Sequence, residues 1–137
     1  MAYELIDHTA DIGIRVTETS IKDLFETAAH AMFEQITEPS KLSGTHTKDI
    51  HIKGIDRPDL LINFLRELLS FWTLDAHLIK RVTIADITAT RLTAKLFYDE
   101  FNPKTHEILK DIKAVTYHGI SVDQTDAGWQ ATIIFDV

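Results

Sequence analysis

The sequence predicts an α+β fold, in which two helices pack on one face of a mixed or antiparallel sheet. Two observations lead to this prediction. Apolar residues recur at helical spacing in two segments, whereas apolar and polar residues alternate in most of the others. The segments also lack the regular strand–helix alternation of parallel α/β folds. A chain of 137 residues, 45% of them apolar, is sized for one compact domain spanning residues 1–137.

The first half of the chain is expected to contain both helices. We predict strands over residues 11–18 and 47–53 and helices over residues 20–36 and 56–76. An N-cap residue starts each helix, Ser20 in the first and Asp56 in the second. The second helix is so apolar that it should be covered on more than one side, as the central helix of the core.

The second half is expected to form strands. We predict them over residues 81–87, 92–98, 112–125 and 129–137. The first two should form a hairpin around Thr88-Ala89-Thr90, and the third should be bulged near Gly119. Residues 99–106 mix charged residues with a proline, and we expect them to form a solvated loop.

Composition and charge exclude several classes of function. The chain has 21 acidic and 14 basic residues, a net charge of −7 and a pI of about 5.4. A protein that grips nucleic acid by itself usually has a basic surplus, so a link to RNA should run through a partner protein or a small local patch. The absence of cysteine excludes disulfides, thiolate ligands and cysteine nucleophiles. Since neither a signal peptide nor a membrane-length apolar run is present, we expect a cytoplasmic protein without membrane contact.

Two groups of acidic residues are candidates for a cation site. The segment Asp7-His8-Thr9-Ala10-Asp11 can bind a cation or serve acid–base chemistry, although its residues can equally be satisfied in a turn. At the other end of the chain, the side chain of Asp136 lies next to the terminal carboxylate of Val137. Ca²⁺ and Mg²⁺ favour such oxygen ligands. If the strands that carry Asp11 and Asp136 are neighbours, three carboxylates converge.

A third group lies on the long strand near the C-terminus. It is the segment Lys113-Ala114-Val115-Thr116-Tyr117-His118-Gly119. Polar residues on strands usually face water, so an ordinary strand with a bulge at Gly119 is the structural alternative to a functional group. The residues by themselves therefore leave an α+β domain with a candidate oxygen-ligand metal site.

These segments together resemble the archease family over nearly the whole chain. The resemblance is carried in order by His8-Thr9-Ala10-Asp11-Ile12-Gly13-Ile14, residues 20–29, 65–69 and 102–106, Lys113-Ala114-Val115-Thr116-Tyr117-His118, and the final Asp136-Val137. Each motif alone is modest, but all of them at these spacings and this chain length are specific. The family fold is a compact α+β domain, in agreement with the fold predicted above.

The resemblance implies an accessory protein, not an enzyme in its own right. The family assists the GTP- and metal-dependent RNA-splicing ligase in tRNA splicing, promoting guanylylation of the ligase and multiple turnover. The resemblance also implies a divalent-cation site whose ligands are Asp11, Asp136 and the carboxylate of Val137. Calcium is the expected cation, and magnesium or manganese are the alternatives. Lys113, and with it His8 and His118, become candidates for contact with or activation of the partner. The ligase is then the partner, RNA is contacted only indirectly, and neither DNA nor membrane is involved.

Two other functions stay open at this point. The protein can be a chaperone-like stabiliser of RNA-modifying enzymes, a role also suggested for the family. It can also be an independent metal-dependent hydrolase that uses Asp7, Asp11 and His118 around a cation. The second alternative lacks a general-base histidine with clear supporting residues.

Overall fold

The architecture comes from a computed structural model, which describes residues 2–6 and 11–137. Along these residues the chain forms seven strands and two α-helices, with one short 3-10 helix at Pro39–Lys41. The elements are β1 (Tyr3–Ile6), β2 (Asp11–Glu18), α1 (Ile21–Ile36), β3 (His46–Lys53), α2 (Arg57–Asp75), β4 (His77–Ile87), β5 (Arg91–Glu100), β6 (Ala114–Thr125) and β7 (Gly128–Asp136).

The strands form two sheets instead of one. The four-stranded sheet has the order β1-β2-β7-β6, the three-stranded sheet has the order β3-β5-β4, and all pairs are antiparallel. Helix α1 contacts β2 and β4, and α2 contacts β6, β4 and β3, so each helix touches both sheets. The helices therefore lie between the sheets and cover one face of each. The predicted α+β class is confirmed, and of the two sheet types left open by the sequence, mixed or antiparallel, both sheets are antiparallel.

Both helices begin where their capping residues predicted. The Ser20 hydroxyl accepts a hydrogen bond from the Asp23 N–H, and the Asp56 carboxylate accepts one from the Asp59 N–H. Each cap satisfies one of the backbone donors left open at a helix start, which is worth about 1 kcal/mol. Helix α2 ends at Ala76, whose φ of 57° lies in the left-handed region.

The core fills the space between the two sheets. Phe25 of α1 and Phe64 of α2 are fully buried, and their ring centroids lie 5.8 Å apart. Truncating such a ring to alanine costs about 3–5 kcal/mol. Ten of the 16 residues of α1 are buried, since this helix is covered by a sheet on either side. The sequence predicted that role for α2 but not for α1.

Two strand features refine the predicted boundaries. Strand β4 begins at His77, four residues before the predicted start, and register shifts at Ile79/Arg81 and Ile84/Asp86 disturb its alternation. In β6 the predicted bulge is present: four residues after Thr116 stand opposite a single residue of β7, and Gly119 has a φ of 70°. Within the described ranges, no helix combines the length and apolarity needed to cross a membrane.

Candidate functional site

The two predicted aspartates lie side by side at one end of the four-stranded sheet. The register of β2 and β7 places Asp11 directly opposite Asp136. In an antiparallel pair, residues opposite each other point to the same face, with Cβ atoms about 4.5–5.5 Å apart. The next pair along, Ile12 and Phe135, faces the core. The two carboxylates therefore project together from the outer face of the sheet.

Strand β6 brings Lys113 to the same end. Ala114 stands opposite Asp136 on this side, and the Lys113 N–H donates a 2.8 Å hydrogen bond to the Asp136 carbonyl. The methyl group of Ala114 is small, so this neighbour does not crowd the acidic pair. Val137 follows at once and is 44% exposed. We call Asp11, Asp136, Val137 and Lys113 the acidic end of the sheet.

Apolar packing supports the acidic end from the adjoining positions of the same outer face. Gly13 stands between Ile6 of β1 and Ile134 of β7. A Cβ atom at Gly13 would lie 2.5 Å from Ile6 Cγ1 and 3.1 Å from Ile134 Cδ1, so only glycine leaves room for both side chains. Ile134 is 3% exposed although it faces away from the core. The sign of this contact in the sequence is a glycine, Gly13, inside an apolar strand.

The other predicted site residues are not brought to this end by the described structure. His118 lies in the β6 bulge, beyond the step at which Thr116 pairs with Ile134, and its N–H bonds the Thr116 hydroxyl at 2.8 Å. It therefore does not stand level with Asp136. Asp7 and His8 lie outside the described residues.

The donor atoms of the acidic end suit one class of metal. Among residues 2–6 and 11–137, no three His, Cys, Asp or Glu side chains are grouped so as to hold a metal ion. Asp11 and Asp136 supply two side-chain carboxylates. These are hard oxygen ligands, as Ca²⁺, Mg²⁺ and Mn²⁺ prefer, and they occupy only part of a shell of six to eight ligands. The residues thus fit a hard divalent cation with positions left for water or for a partner.

Residues 99–106, predicted to form a solvated loop, comprise the last two residues of β5 and the start of the loop that follows. Asp99 and His106 are 9% and 7% exposed. Asp99 accepts hydrogen bonds from the N–H groups of Ser43 (2.9 Å) and Gly44 (2.6 Å), and His106 Nε2 lies 3.4 Å from its carboxylate. His106 Nδ1 accepts from the Asn102 N–H at 3.0 Å. The prediction was wrong for these two residues, because their polar atoms are satisfied by backbone groups of two loops.

The archease protein family (MTH1598/TM1083) matches residues 3–137. The chain belongs to the archease family. Curated relatives named protein archease include that of Methanosarcina barkeri, 32% identical with 98% of this chain and 95% of the relative covered, and that of Pyrococcus abyssi, 33% identical with 98% of each covered. The archease fold also has a solved relative, the solution structure of Methanobacterium thermoautotrophicum protein 1598. It matches with a TM-score of 0.81 at 31% identity, over 98% of both chains.

Proposed function

We propose that this archease-family protein is an accessory protein of the RNA-splicing ligase in tRNA processing. It acts in the cytoplasm, stimulates guanylylation and turnover of the ligase, and carries no catalytic centre of its own. Family membership over residues 3–137 supports the partner. One observation supports the location of the functional surface at the acidic end: Asp11 pairs with Asp136 at one end of a sheet.

The proposal assigns a divalent cation, calcium by expectation, to Asp11, Asp136 and the Val137 carboxylate. Two carboxylates at such a separation repel each other by about 1 kcal/mol in water, and more where water is excluded. A bound cation supplies positive charge that offsets this repulsion and can attract phosphate groups. The apolar side chains of Ile6 and Ile134 both pack over Gly13, on and beside the strands on which the two aspartates stand.

Lys113 adds a positive charge to the same end of the sheet. Its side chain is exposed, and its backbone is fixed by the 2.8 Å hydrogen bond to the Asp136 carbonyl. Ammonium groups bind phosphate as point charges. In the proposal, Lys113 contacts the triphosphate side of the guanylylation reaction or an acidic group of the ligase, while the aspartates hold the cation.

The test pairs a binding assay with a ligase assay. We expect Asp11→Asn and Asp136→Asn each to lower Ca²⁺ affinity at least about tenfold by calorimetric titration, because each removes an anionic ligand. The same variants should lower the rate of ligase guanylylation at limiting metal. Asp123→Asn is the matched control, since Asp123 lies on the same sheet opposite Gln130, away from the acidic end. Stimulation that survives loss of both aspartates would rule out the cation part of the proposal.

The same assay separates the ligase helper from a chaperone-like stabiliser. A helper accelerates guanylylation when it is present at far less than one copy per ligase, whereas a stabiliser acts stoichiometrically and protects the ligase from aggregation. A protective effect that needs neither Asp11 nor Asp136 would favour the stabiliser.

A further inference from the structure

The outer face of the three-stranded sheet differs in charge from the rest of the chain. The core-facing residues of this sheet, such as Ile52, Leu92 and Ala94, are buried, so the alternating residues face outward. The exposed outward residues include four of the chain's 14 basic residues but only two of its 21 acidic ones. The basic residues are Lys53, Arg81, Arg91 and Lys95, and the acidic ones are Asp49 and Asp86. We call this surface the basic face.

The basic residues follow the strands in rows. Arg91 and Lys95 lie on the central strand β5, about 14 Å apart along it, and Lys53 stands opposite Arg91 on β3. Two adjoining hollows of about 440 and 400 Å³ lie over the face. His51 and Thr93 line both, while Asp86 lines the first and Asp49 the second. Cationic groups spaced along a shallow, hydroxyl-bearing track suit a chain of phosphates, because Thr hydroxyls and basic side chains are both common phosphate contacts.

An arginine–aromatic pair lies at the far end of the track. The guanidinium of Arg81 lies 3.7 Å from the ring centroid of Phe97, and the two residues are direct partners on β4 and β5. Arg81 is exposed, so the outer plane of its guanidinium faces away from the ring. Unpaired RNA bases stack on aromatic rings and on guanidinium planes of this kind.

We propose that the basic face binds the backbone of single-stranded RNA. The exposed outward side chains of this face carry four positive and two negative charges on a chain whose net charge is −7, and this local positive balance favours a polyanion as the partner. The choice of RNA among polyanions rests on the proposed ligase function. The face lies on the other sheet from the acidic end, so the protein can hold the RNA substrate while the acidic end serves the ligase.

Fluorescence anisotropy with a labelled single-stranded oligoribonucleotide tests the proposal without ligase. Because the net charge of −7 opposes binding, we expect a Kd within roughly 10⁻⁴–10⁻⁶ M at physiological salt, rising steeply with salt. The variant Arg91→Gln/Lys95→Gln should bind about tenfold more weakly at low salt, with its salt slope reduced by about one for each cationic side chain removed. Lys104→Gln/Lys110→Gln, which removes two exposed lysines from the loop after β5, should bind like wild type.

A charge-gain variant keeps the test decisive if the double variant folds poorly. Asp49 stands opposite Lys95 on the basic face, so Asp49→Asn should raise the affinity for RNA, which damage to the fold cannot do. Absence of RNA binding, or equal loss in both double variants, would overturn the proposal. So would unchanged RNA binding together with lost ligase stimulation in Arg91→Gln/Lys95→Gln, since the face would then dock a protein. RNA binding that persists in Asp11→Asn, a variant of the acidic end, would show that RNA binding does not depend on the cation site. The RNA-binding proposal and the ligase proposal can therefore be tested separately.

Discussion

At the scale of single residues, Gly13 has the most direct influence on the candidate site. It lies two residues from Asp11 on the same face of β2, and its missing side chain leaves the room that Ile6 and Ile134 occupy. We predict that Gly13→Ala lowers the free energy of unfolding by about 1–3 kcal/mol through overpacking. Urea unfolding followed by circular dichroism measures the change.

A second substitution identifies the cause of that destabilisation. Because a Cβ at Gly13 would lie 2.5 Å from Ile6 Cγ1, adding Ile6→Ala to Gly13→Ala should cost less than the sum of the two single changes. Gly119→Ala is the comparison: a Cβ there meets Ile134 at an ordinary 3.6 Å, so its cost should come from the φ of 70° alone. Additive effects of the two changes at Gly13 and Ile6 would disprove the packing role of Gly13.

Asp99 is the second residue whose role is specific and testable. Its carboxylate accepts two backbone N–H groups, from Ser43 and Gly44, that would otherwise lack this partner. We predict that Asp99→Ala lowers the free energy of unfolding by about 2 kcal/mol or more, because it removes two hydrogen bonds to a carboxylate, each worth about 1.5–3 kcal/mol. Exposed Glu100 provides the control, and Glu100→Gln should change the unfolding midpoint little. Equal effects of the two substitutions would mean that Asp99 does not fasten the loops.

At the scale of elements, a side-chain link joins the β6 bulge to the first turn of α2. The Tyr117 hydroxyl donates a 2.5 Å hydrogen bond to Asp59, and the Arg66 guanidinium lies 4.7 Å from the Tyr117 ring centroid. The hydrogen bond from Tyr117, followed by that from the Ile55 N–H, lowers the pKa of Asp59 below its ordinary value. A lowered pKa in the folded state stabilises the fold above the ordinary pKa, and this stabilisation is lost as the pH falls through the lowered value.

Tyr117→Phe should therefore weaken the fold in a pH-dependent way. We predict a lower urea midpoint than wild type at neutral pH, and a difference that shrinks as Asp59 becomes protonated below its ordinary pKa. Tyr98→Phe is the matched control, because Tyr98 packs through its ring between His46 and His77. A difference between Tyr117→Phe and wild type that stays constant from neutral pH to pH values below the pKa of Asp59 would contradict the link.

The elements also show what could be predicted from the sequence. The helix starts were predictable because a capping interaction is local. The side chains of Ser20 and Asp56 each accept a hydrogen bond from a backbone N–H only three residues further along the chain. The division into two sheets was not, because strand pairing joins residues far apart in the chain, and the alternation along a strand does not say which strand lies beside it. The start of β4 was placed too late because its register shifts break the alternation.

The same distinction holds for the sites. Asp11 and Asp136 were predicted as strand ends and as family ligands, but only the strand order makes them neighbours. The burial of His106 was not predicted. The ring lies against Asp99 and the Asn102 N–H because of the path of the loop, and a loop has no hydrophobic periodicity from which that path could be predicted. The basic face was hidden by the net charge of −7, because an average over the chain carries no information about one face of a sheet.

At the scale of the whole molecule, the helices separate two working surfaces. The acidic end belongs to the four-stranded sheet and the basic face to the three-stranded sheet, with α1 and α2 between them. The ligase proposal and the RNA-binding proposal together give the two surfaces different partners, the ligase and its RNA. Combining Asp136→Asn with Arg91→Gln/Lys95→Gln should then lower ligase stimulation multiplicatively, because substitutions on separate surfaces without shared partners act independently.

The positions of the two chain ends lead to a further prediction. Strand β7 lies in the middle of its sheet between β2 and β6, so residues added beyond Val137 emerge at the acidic end. The Ala2 carbonyl instead accepts a hydrogen bond from the Thr17 N–H, six residues along β2 from Asp11, which is about 20 Å. A tag that follows Val137 also turns its carboxylate into an amide and removes one proposed ligand.

We therefore expect a C-terminal tag to weaken Ca²⁺ binding and ligase stimulation, and an N-terminal tag of the same sequence to leave both near wild-type values. Cleavage directly after Val137 should restore both values, because it regenerates the free carboxylate, whereas cleavage that leaves extra residues should not. Thermal melting of the two tagged proteins controls for stability, because β7 lies in the sheet interior and β1 at its edge. Equal metal affinity and equal stimulation in the two tagged forms would exclude the Val137 carboxylate as a ligand and leave Asp11 and Asp136 as the proposed pair.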